Sequence, residues 1–229
     1  MSDERFVHAW HLRLDPAWRL LSATQRASDA RAFQRAADRA NARLVQHCYS
    51  TIGLRADGDL LLWRMSDSLE AIEETAADLR ASGLGRWLTP ALSMIGLTRP
   101  SQYVKRPTTQ EQSLFSGDRS RYLVVYPFTK SIEWYLSSAE ERQEVMKGHM
   151  RVGHAYPQVR QLLAYSFGLD DQEFIVAYET DDLVAFQDLV RDLRATESRR
   201  STVRDTPIVT GIHRPLPEIL ALLSDGRAA

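Results

Sequence analysis

The order of the predicted secondary structure, which occurs twice along the chain, restricts the fold more than any other feature of this sequence. In the first half, composition and periodicity predict strands at 6–14, 46–54, 60–65 and 88–97, and helices at 23–45 and about 68–82. In the second half they predict strands at 122–128, 158–167, 173–179 and 207–212, and helices at 138–155, 181–195 and 216–223. Each half therefore has the order β-α-β-β-α-β of the ferredoxin-like unit. Two such antiparallel sheets with helices on their outer faces form an α+β fold.

The boundary between the two halves falls in a polar, proline-containing segment. We expect an N-terminal half at 1–100, a linker at 101–120 and a C-terminal half at 121–229. Such a linker suits either a surface connection or a loop that closes over a site. In the first helical region, the candidate core residues are Leu20, Leu21, Phe33 and Leu44.

Composition excludes several classes of protein. Of the 229 residues, 44% are hydrophobic, which is enough to build a core. The 29 basic and 30 acidic residues give a net charge of −1, so the chain has no overall electrostatic footprint for nucleic acid. No apolar run approaches the ~18 residues of a membrane span. The single cysteine, Cys48, excludes an internal disulfide and suits a reducing compartment, so we expect a cytoplasmic protein.

The helix predicted at 138–155 carries the residue that most invites a functional explanation. It opens with a capping box at Ser138 and Glu141, and its apolar positions recur every three or four residues. His149 lies on that apolar stripe. One interpretation is a buried histidine whose ring is satisfied by a backbone carbonyl. The other is an axial metal or haem ligand, because neutral imidazole is the commonest metal ligand.

Several short motifs around this helix form a recognisable set: Tyr126-Pro127-Phe128, Glu133-Trp134-Tyr135-Leu136, Glu140-Glu141-Arg142, His149, Tyr156, Gly168-Leu169-Asp170-Asp171, residues 178–183 and residues 193–196. Together these motifs resemble the chlorite dismutase family of haem proteins, and within it the coproheme decarboxylases, especially those of actinobacteria. The resemblance covers most of the chain from about Arg121 to Arg214 and is looser in the amino-terminal half.

The resemblance implies a fold, a cofactor and a reaction. The two ferredoxin-like halves would form a dimeric α/β barrel, usually within a ring-shaped homopentamer. The reaction would be the oxidative decarboxylation of coproheme III to haem b, with the porphyrin and hydrogen peroxide as small-molecule partners. His149 would bind the iron. Glu197 would hold its other ring nitrogen, or Ser198 if the segment differs by one residue from that of relatives.

Tyr126 would be the redox-active residue of such a reaction. The resemblance implies that peroxide oxidises the iron and that the tyrosine, oxidised in turn to a radical, abstracts hydrogen from a propionate. Loss of carbon dioxide then leaves a vinyl group. Lys130 would pair with a propionate and Trp134 would line the cavity. The alternative for Tyr126 is an aromatic side chain that simply packs in the core, as is common in strands.

The distal side departs from both family patterns. Chlorite dismutases place an arginine where this chain has Gln161, and no histidine occurs at 104–112, where actinobacterial decarboxylases carry one. A glutamine can orient peroxide but cannot accept a proton at neutral pH. Four functions therefore stay open: a coproheme decarboxylase, a chlorite dismutase-like enzyme or peroxidase, a haem carrier or sensor without turnover, and a ferredoxin-like barrel in which His149 is merely a core residue.

Overall fold

A computed structural model describes residues 4–99 and 118–226, and their contacts divide the chain into two compact units. The first unit comprises Met1–Leu97 and Gly211–Ala229, and the second comprises Thr98–Thr210. The C-terminal residues from Gly211 onward thus belong to the first unit, whereas the expected division placed them in the second half.

The first unit contains an antiparallel sheet with three helices. Its strands are β1 (Phe6–Leu14), β2 (Val45–Ser50), β3 (Leu60–Ser66) and β4 (Leu88–Thr98). They are ordered β4-β1-β3-β2, and Ile212 and His213 of a further strand pair with the edge of β2. Its helices are α1 (Ala23–Asn41), α2 (Leu69–Ala81) and α6 (Leu216–Asp225), and short 3-10 helices cover Pro16–Leu20 and Gly83–Trp87.

Apolar side chains from the strands and all three helices form the core of the first unit. Phe33 of α1 and Leu79 of α2 pack with Trp10 of β1, and Ile219 and Leu220 of α6 join the same cluster. Burial of this α6 face explains why the C-terminal segment belongs to this unit.

The expected core position at Leu20 is wrong. This residue ends a 3-10 helix that precedes α1, and it is 87% exposed. Phe33 and Leu44 are buried as predicted, and Leu21 is partly buried against the core.

The second unit also contains an antiparallel sheet. Its strands are β5 (Tyr122–Lys130), β6 (Arg160–Tyr165), β7 (Phe174–Thr180) and β8 (Thr202–Arg204). A further strand, β9 (Val209–His213), begins in this unit, and its residues from Gly211 onward belong to the first unit. The first four are ordered β6-β7-β5-β8. Its helices are α3 (Ile132–Leu136), α4 (Ala139–His154) and α5 (Leu183–Arg194), with a 3-10 helix at Glu197–Ser201. Neither α3 nor β8 was predicted, because both are too short to show a period.

Along both halves of the chain the predicted strands and helices occur in the predicted order, with α3 and β8 as additions, and the α+β class is confirmed. The barrel and the homopentamer remain predictions. No helix among the described residues is long and apolar enough to cross a membrane.

Candidate functional site

Helix α4 begins at the predicted capping box. The backbone N–H of Glu141 donates to Ser138 Oγ at 3.2 Å, and the N–H of Ser138 donates to Glu141 Oε2 at 2.8 Å. These reciprocal bonds satisfy two of the backbone donors that every helix start leaves open. They fix where the helix begins and therefore where His149 lies, about three turns further on.

The apolar face of α4 is only partly covered. None of its residues is fully buried, and Val145, Met146, His149 and Val152 are all half-buried. Helices α1, α2 and α5, by contrast, each bury apolar residues completely. Among the described residues, this helix face therefore keeps part of its apolar surface exposed.

The imidazole of His149 is held in a neutral, oriented state. Its Nδ1 is 3.0 Å from Ser198 Oγ, and Ser198 is itself buried. Burial, with a smaller contribution from the positive charge of Lys130, lowers the pKa of His149 to about 4. Within residues 4–99 and 118–226, no hydrogen bond is made to Nε2. This is the arrangement of a histidine ligand, with one nitrogen anchored and the other available.

The anchoring residue is Ser198 rather than Glu197. The Glu197 carboxylate is 3.1 Å from Arg200 Nε, and its side chain is 64% exposed. Both residues lie in the tight 3-10 turn at Glu197–Ser201, where neighbouring side chains point in different directions. The expectation for Glu197 is therefore corrected by one residue, to the alternative that the sequence had left open.

Lys130 stabilises the same turn. Its Nζ donates to the Ser198 carbonyl at 3.1 Å, to Ser201 Oγ at 3.3 Å and to Thr202 Oγ1 at 3.4 Å. It also lies 4.6 Å from the ring centre of the buried Trp134, a cation–π distance.

Burial lowers the pKa of Lys130 to about 8. An ammonium group has three N–H donors, and the three contacts of Nζ use all of them. A propionate partner for Lys130 would have to displace one of these contacts.

Tyr126 and Gln161 lie on one face of the second sheet. Tyr126 of β5 is opposite Val176 of β7, and Gln161 of β6 is opposite Tyr178 of β7. Directly opposed residues share a face, as do residues two apart on one strand. The four side chains therefore share one side of the sheet, and Val152 of α4 packs in the same apolar cluster as Tyr126.

Tyr126 is both a packed residue and a constrained phenol. It packs against the cluster formed by Val159, Val176, Tyr178 and Leu189. Burial above all, then the neighbouring Tyr178, raises the pKa of Tyr126 well above its usual value. Tyr126 is thus a neutral phenol at physiological pH.

Arg160 does not supply the arginine that is absent at position 161. It lies opposite Glu179, and its Nη2 is 2.9 Å from the buried Glu179 carboxylate. Alternation along β6 sends it to the sheet face away from Tyr126, as the sequence predicted.

These residues fit an iron porphyrin. Among the described residues, no group of three or more His, Cys, Asp or Glu side chains is arranged to hold a metal ion. A single neutral histidine suits a metal that brings its other ligands with it, as haem iron does. The half-covered apolar face of α4 suits the porphyrin plane.

Sequence reasoning missed two features of this site. Tyr178 did not stand out, because only the register of β5 and β7 shows that it adjoins Tyr126. The role of Lys130 in holding the turn at Ser198 depends on a contact between residues far apart in the chain. The segment 104–112, where no distal histidine was found, lies outside the described residues.

The sequence is similar to those of proteins in one known family. The family profile described as chlorite dismutase matches residues 26–214. A coproheme decarboxylase of Mycolicibacterium smegmatis is 37% identical over 182 residues, which span 79% of this chain and 78% of the relative. A chlorite dismutase of Ideonella dechloratans is 27% identical over 192 residues, which span 80% of this chain and 67% of the relative.

Solved structures of chlorite dismutases superimpose on this chain. A variant of the chlorite dismutase from Candidatus Nitrospira defluvii superimposes with a TM-score of 0.88 at 27% identity, covering 96% of both chains. The same organism's chlorite dismutase in complex with imidazole gives a TM-score of 0.85, also at 27% identity, covering 94% of this chain and 93% of that one.

Proposed function

Because the chain belongs to the chlorite dismutase family, we propose that it is a haem-biosynthesis oxidoreductase that decarboxylates coproheme III to haem b with hydrogen peroxide. The observation that carries the proposal is the state of His149. Its ring is neutral, its Nδ1 is anchored 3.0 Å from Ser198 Oγ, and it lies on a helix whose apolar face is only partly covered. The 37% identity to a coproheme decarboxylase favours this reaction within the family.

Each residue then has a defined task. His149 would hold the iron through Nε2, while Ser198 and Lys130 keep the ring and its supporting turn in place. Hydrogen peroxide would be the oxidant, and a bound iron porphyrin would activate it. Tyr126 would lose its phenolic hydrogen atom and then take one from a substrate propionate. Peroxide would take up two electrons for each propionate, one with the hydrogen atom passed through Tyr126 and one as carbon dioxide leaves. Gln161 would orient peroxide through its carboxamide without exchanging a proton.

One feature of the site separates decarboxylation from chlorite chemistry. The residue that aligns with the distal arginine of chlorite dismutases is Gln161, and the neighbouring Arg160 is paired with Glu179 on the opposite sheet face. This favours decarboxylation over chlorite chemistry. Trp134 remains a proposed porphyrin contact, and the homopentamer remains a proposed assembly.

The proposal is tested by titrating the ligand-free protein with ferric coproheme and then adding hydrogen peroxide, with the porphyrin followed by mass spectrometry. We expect stepwise loss of two carboxyl groups in the wild type and none in Tyr126→Phe. Tyr122→Phe removes a hydroxyl from the same strand and should react as the wild type does.

Each contrary result has its own meaning. Tight binding of coproheme with bleaching but no decarboxylation would replace the proposal with a peroxidase or a haem carrier. Turnover of chlorite would indicate a chlorite dismutase. Absence of any binding would return His149 to the role of a packed core residue.

A further inference from the structure

A chain of hydroxyl groups leads from His149 to the end of helix α5. His149 Nδ1 lies 3.0 Å from Ser198 Oγ, and Ser198 Oγ lies 2.9 Å from Thr196 Oγ1. Thr196 Oγ1 in turn donates to the Leu193 carbonyl at 2.6 Å. All four residues belong to the second unit, and Ser198, in the middle of the chain, is only 4% exposed. The hydrogen bonds therefore run without interruption from the imidazole to the last turn of α5.

The direction of every bond in this chain follows from its last member. A carbonyl oxygen can only accept, so the single hydrogen of the Thr196 hydroxyl is used on Leu193. The hydrogen between Thr196 and Ser198 must then come from Ser198. Once that hydrogen is used, the Ser198 oxygen can only accept from His149, which places a hydrogen on Nδ1. A neutral imidazole carries one ring hydrogen, so Nε2 is the bare nitrogen.

The hydroxyl of Thr196 takes part in this chain instead of capping the 3-10 helix that follows it, to which its side chain makes no cap bond. The first unit has a similar junction, where Ser82 precedes a 3-10 helix and its Oγ donates to the Leu79 carbonyl at 2.6 Å. Two residues beyond Ser82 stands Leu84, which has no hydroxyl to extend the chain. A helix-end hydroxyl thus occurs in both units, whereas the one on Thr196 also accepts from a serine that contacts an imidazole.

We propose that Thr196 is a positioning residue for His149, and that it selects, through Ser198, the imidazole tautomer whose Nε2 is free to bind iron. This inference rests on the proposed function, in which His149 binds the iron of a porphyrin. Without the Thr196 hydroxyl, the hydrogen of Ser198 loses its acceptor and can turn toward Nδ1. A ring that accepts at Nδ1 carries its hydrogen on Nε2, where the metal would bind.

The first measurement needs neither cofactor nor activity. The ligand-free protein is labelled with ¹⁵N in its six histidines and observed by solid-state nuclear magnetic resonance, in which protonated and bare ring nitrogens give separate signals. The His149 signals are identified by their absence from His149→Gln. We expect a protonated Nδ1 and a bare Nε2 in the wild type. Thr196→Val, which replaces the hydroxyl by a methyl group, should add signals of a bare Nδ1 and a protonated Nε2.

Two further variants separate positioning from a general loss of structure. Thr196→Ser keeps the hydroxyl and should retain the wild-type signals of His149. Ser82→Ala removes the matching helix-end bond from the first unit, so it should leave the His149 signals unchanged as well. A purely structural role for Thr196 would instead give the wild-type tautomer in Thr196→Val.

The second measurement is a titration of the same variants with ferric coproheme, followed by visible absorption. We expect Thr196→Val to lower the affinity by about tenfold, the low end of the usual effect of residues that support a metal ligand. Thr196→Ser and Ser82→Ala should bind coproheme as the wild type does. Rescue by the serine variant would show that the hydroxyl, and not the shape of the threonine side chain, is what His149 requires.

The outcomes separate this inference from the proposed function. A wild type with its ring hydrogen on Nε2 would overturn the inference even if the protein decarboxylates coproheme, and so would a Thr196→Val variant with the wild-type tautomer. An altered tautomer with unchanged affinity would overturn the role of Thr196 in metal binding. A wild type that has the expected tautomer but binds no coproheme would overturn the proposed function, and the role of Thr196 with it.

Discussion

A single hydroxyl group holds the imidazole ring of His149 in place. Ser198 is buried, contacts His149 Nδ1 at 3.0 Å, and is supported by Thr196 Oγ1 at 2.9 Å and by the Lys130 bond to its carbonyl. Glu197 has a carboxylate that would make a stronger acceptor, yet it points to solvent and pairs with Arg200. The direction of one side chain in a tight turn therefore decides which of the two adjacent residues contacts His149 Nδ1.

Ser198→Ala is expected to weaken haem binding, and Glu197→Ala is not. Loss of a residue that supports a metal ligand typically lowers affinity by about ten- to a hundredfold. Titration of each purified variant with haem, followed by visible absorption, measures the difference. Weaker binding in Glu197→Ala with normal binding in Ser198→Ala would restore the carboxylate as the partner of His149.

The pH dependence of stability has a contribution from a second histidine, His11. Its Nε2 is 2.9 Å from Thr51 Oγ1, which itself donates to the Gly58 carbonyl at 3.0 Å, so the hydroxyl accepts from the ring. Burial lowers the pKa of His11 from its usual 6.5, although Asp57 partly opposes the shift. The folded state therefore binds fewer protons than the unfolded state below pH 6.5, and its stability falls as pH decreases through that range.

We expect the urea midpoint of the ligand-free protein to be lower at pH 5.5 than at pH 7.5. His11→Gln should reduce this difference, because the amide can replace the Nε2 donor but does not titrate. His154→Gln, at the exposed end of α4, is the matched control and should retain the full difference. An equal pH effect in His11→Gln would show that His11 does not contribute.

At the scale of elements, α4 depends on its ends more than the other long helices do. It buries no residue completely, whereas α1 buries Phe33 and α2 buries Leu79. Most helices are stabilised mainly by packing of an apolar face. A helix that leaves that face open for a ligand relies more on its capping interactions, and the box at Ser138 provides them.

Ser138→Ala is expected to lower the free energy of unfolding of the ligand-free protein by about 1 kcal/mol, the usual value of an N-cap. Ser131→Ala is the matched control, since Ser131 precedes α3 but its side chain makes no cap bond to that helix. Urea unfolding followed by circular dichroism compares the two variants. Equal losses in both would show that the capping box does not stabilise α4.

At the scale of the whole molecule, the chain returns to its first unit after completing most of the second. Residues from Gly211 onward belong with Met1–Leu97, and α6 adds Ile219, Leu220 and Leu223 to the core around Trp10 and Phe33. The first unit is therefore complete only when the C terminus is present.

Leu220→Ala is expected to cost about 2–5 kcal/mol, the usual range for a buried leucine. Hydrogen exchange should rise in β1–β4, where α6 packs, and less in β5–β7. Leu136→Ala is the control, because this leucine of α3 is 81% exposed and surface changes of this kind cost less than about 0.5 kcal/mol. A loss of protection confined to β5–β7 in Leu220→Ala would contradict the assignment of α6 to the first unit.

The amino-acid sequence by itself determined what depends on local spacing. The order of strands and helices, the capping box at Ser138, the position of His149 on an apolar stripe and the opposite directions of Arg160 and Gln161 all follow from periods of two and 3.6 residues. Family motifs added the expectation of haem chemistry, and the matched profile at 26–214 confirmed the family itself.

Only the tertiary structure decided which distant residues meet. The choice of Ser198 over Glu197, the binding of Lys130 to the turn that carries Ser198, the pairing of Tyr126 with Tyr178 and the return of α6 to the first core each join residues that are far apart in the chain. The register of neighbouring strands and the direction of a 3-10 turn set these contacts. Both are fixed by packing over the whole unit, which no local pattern records.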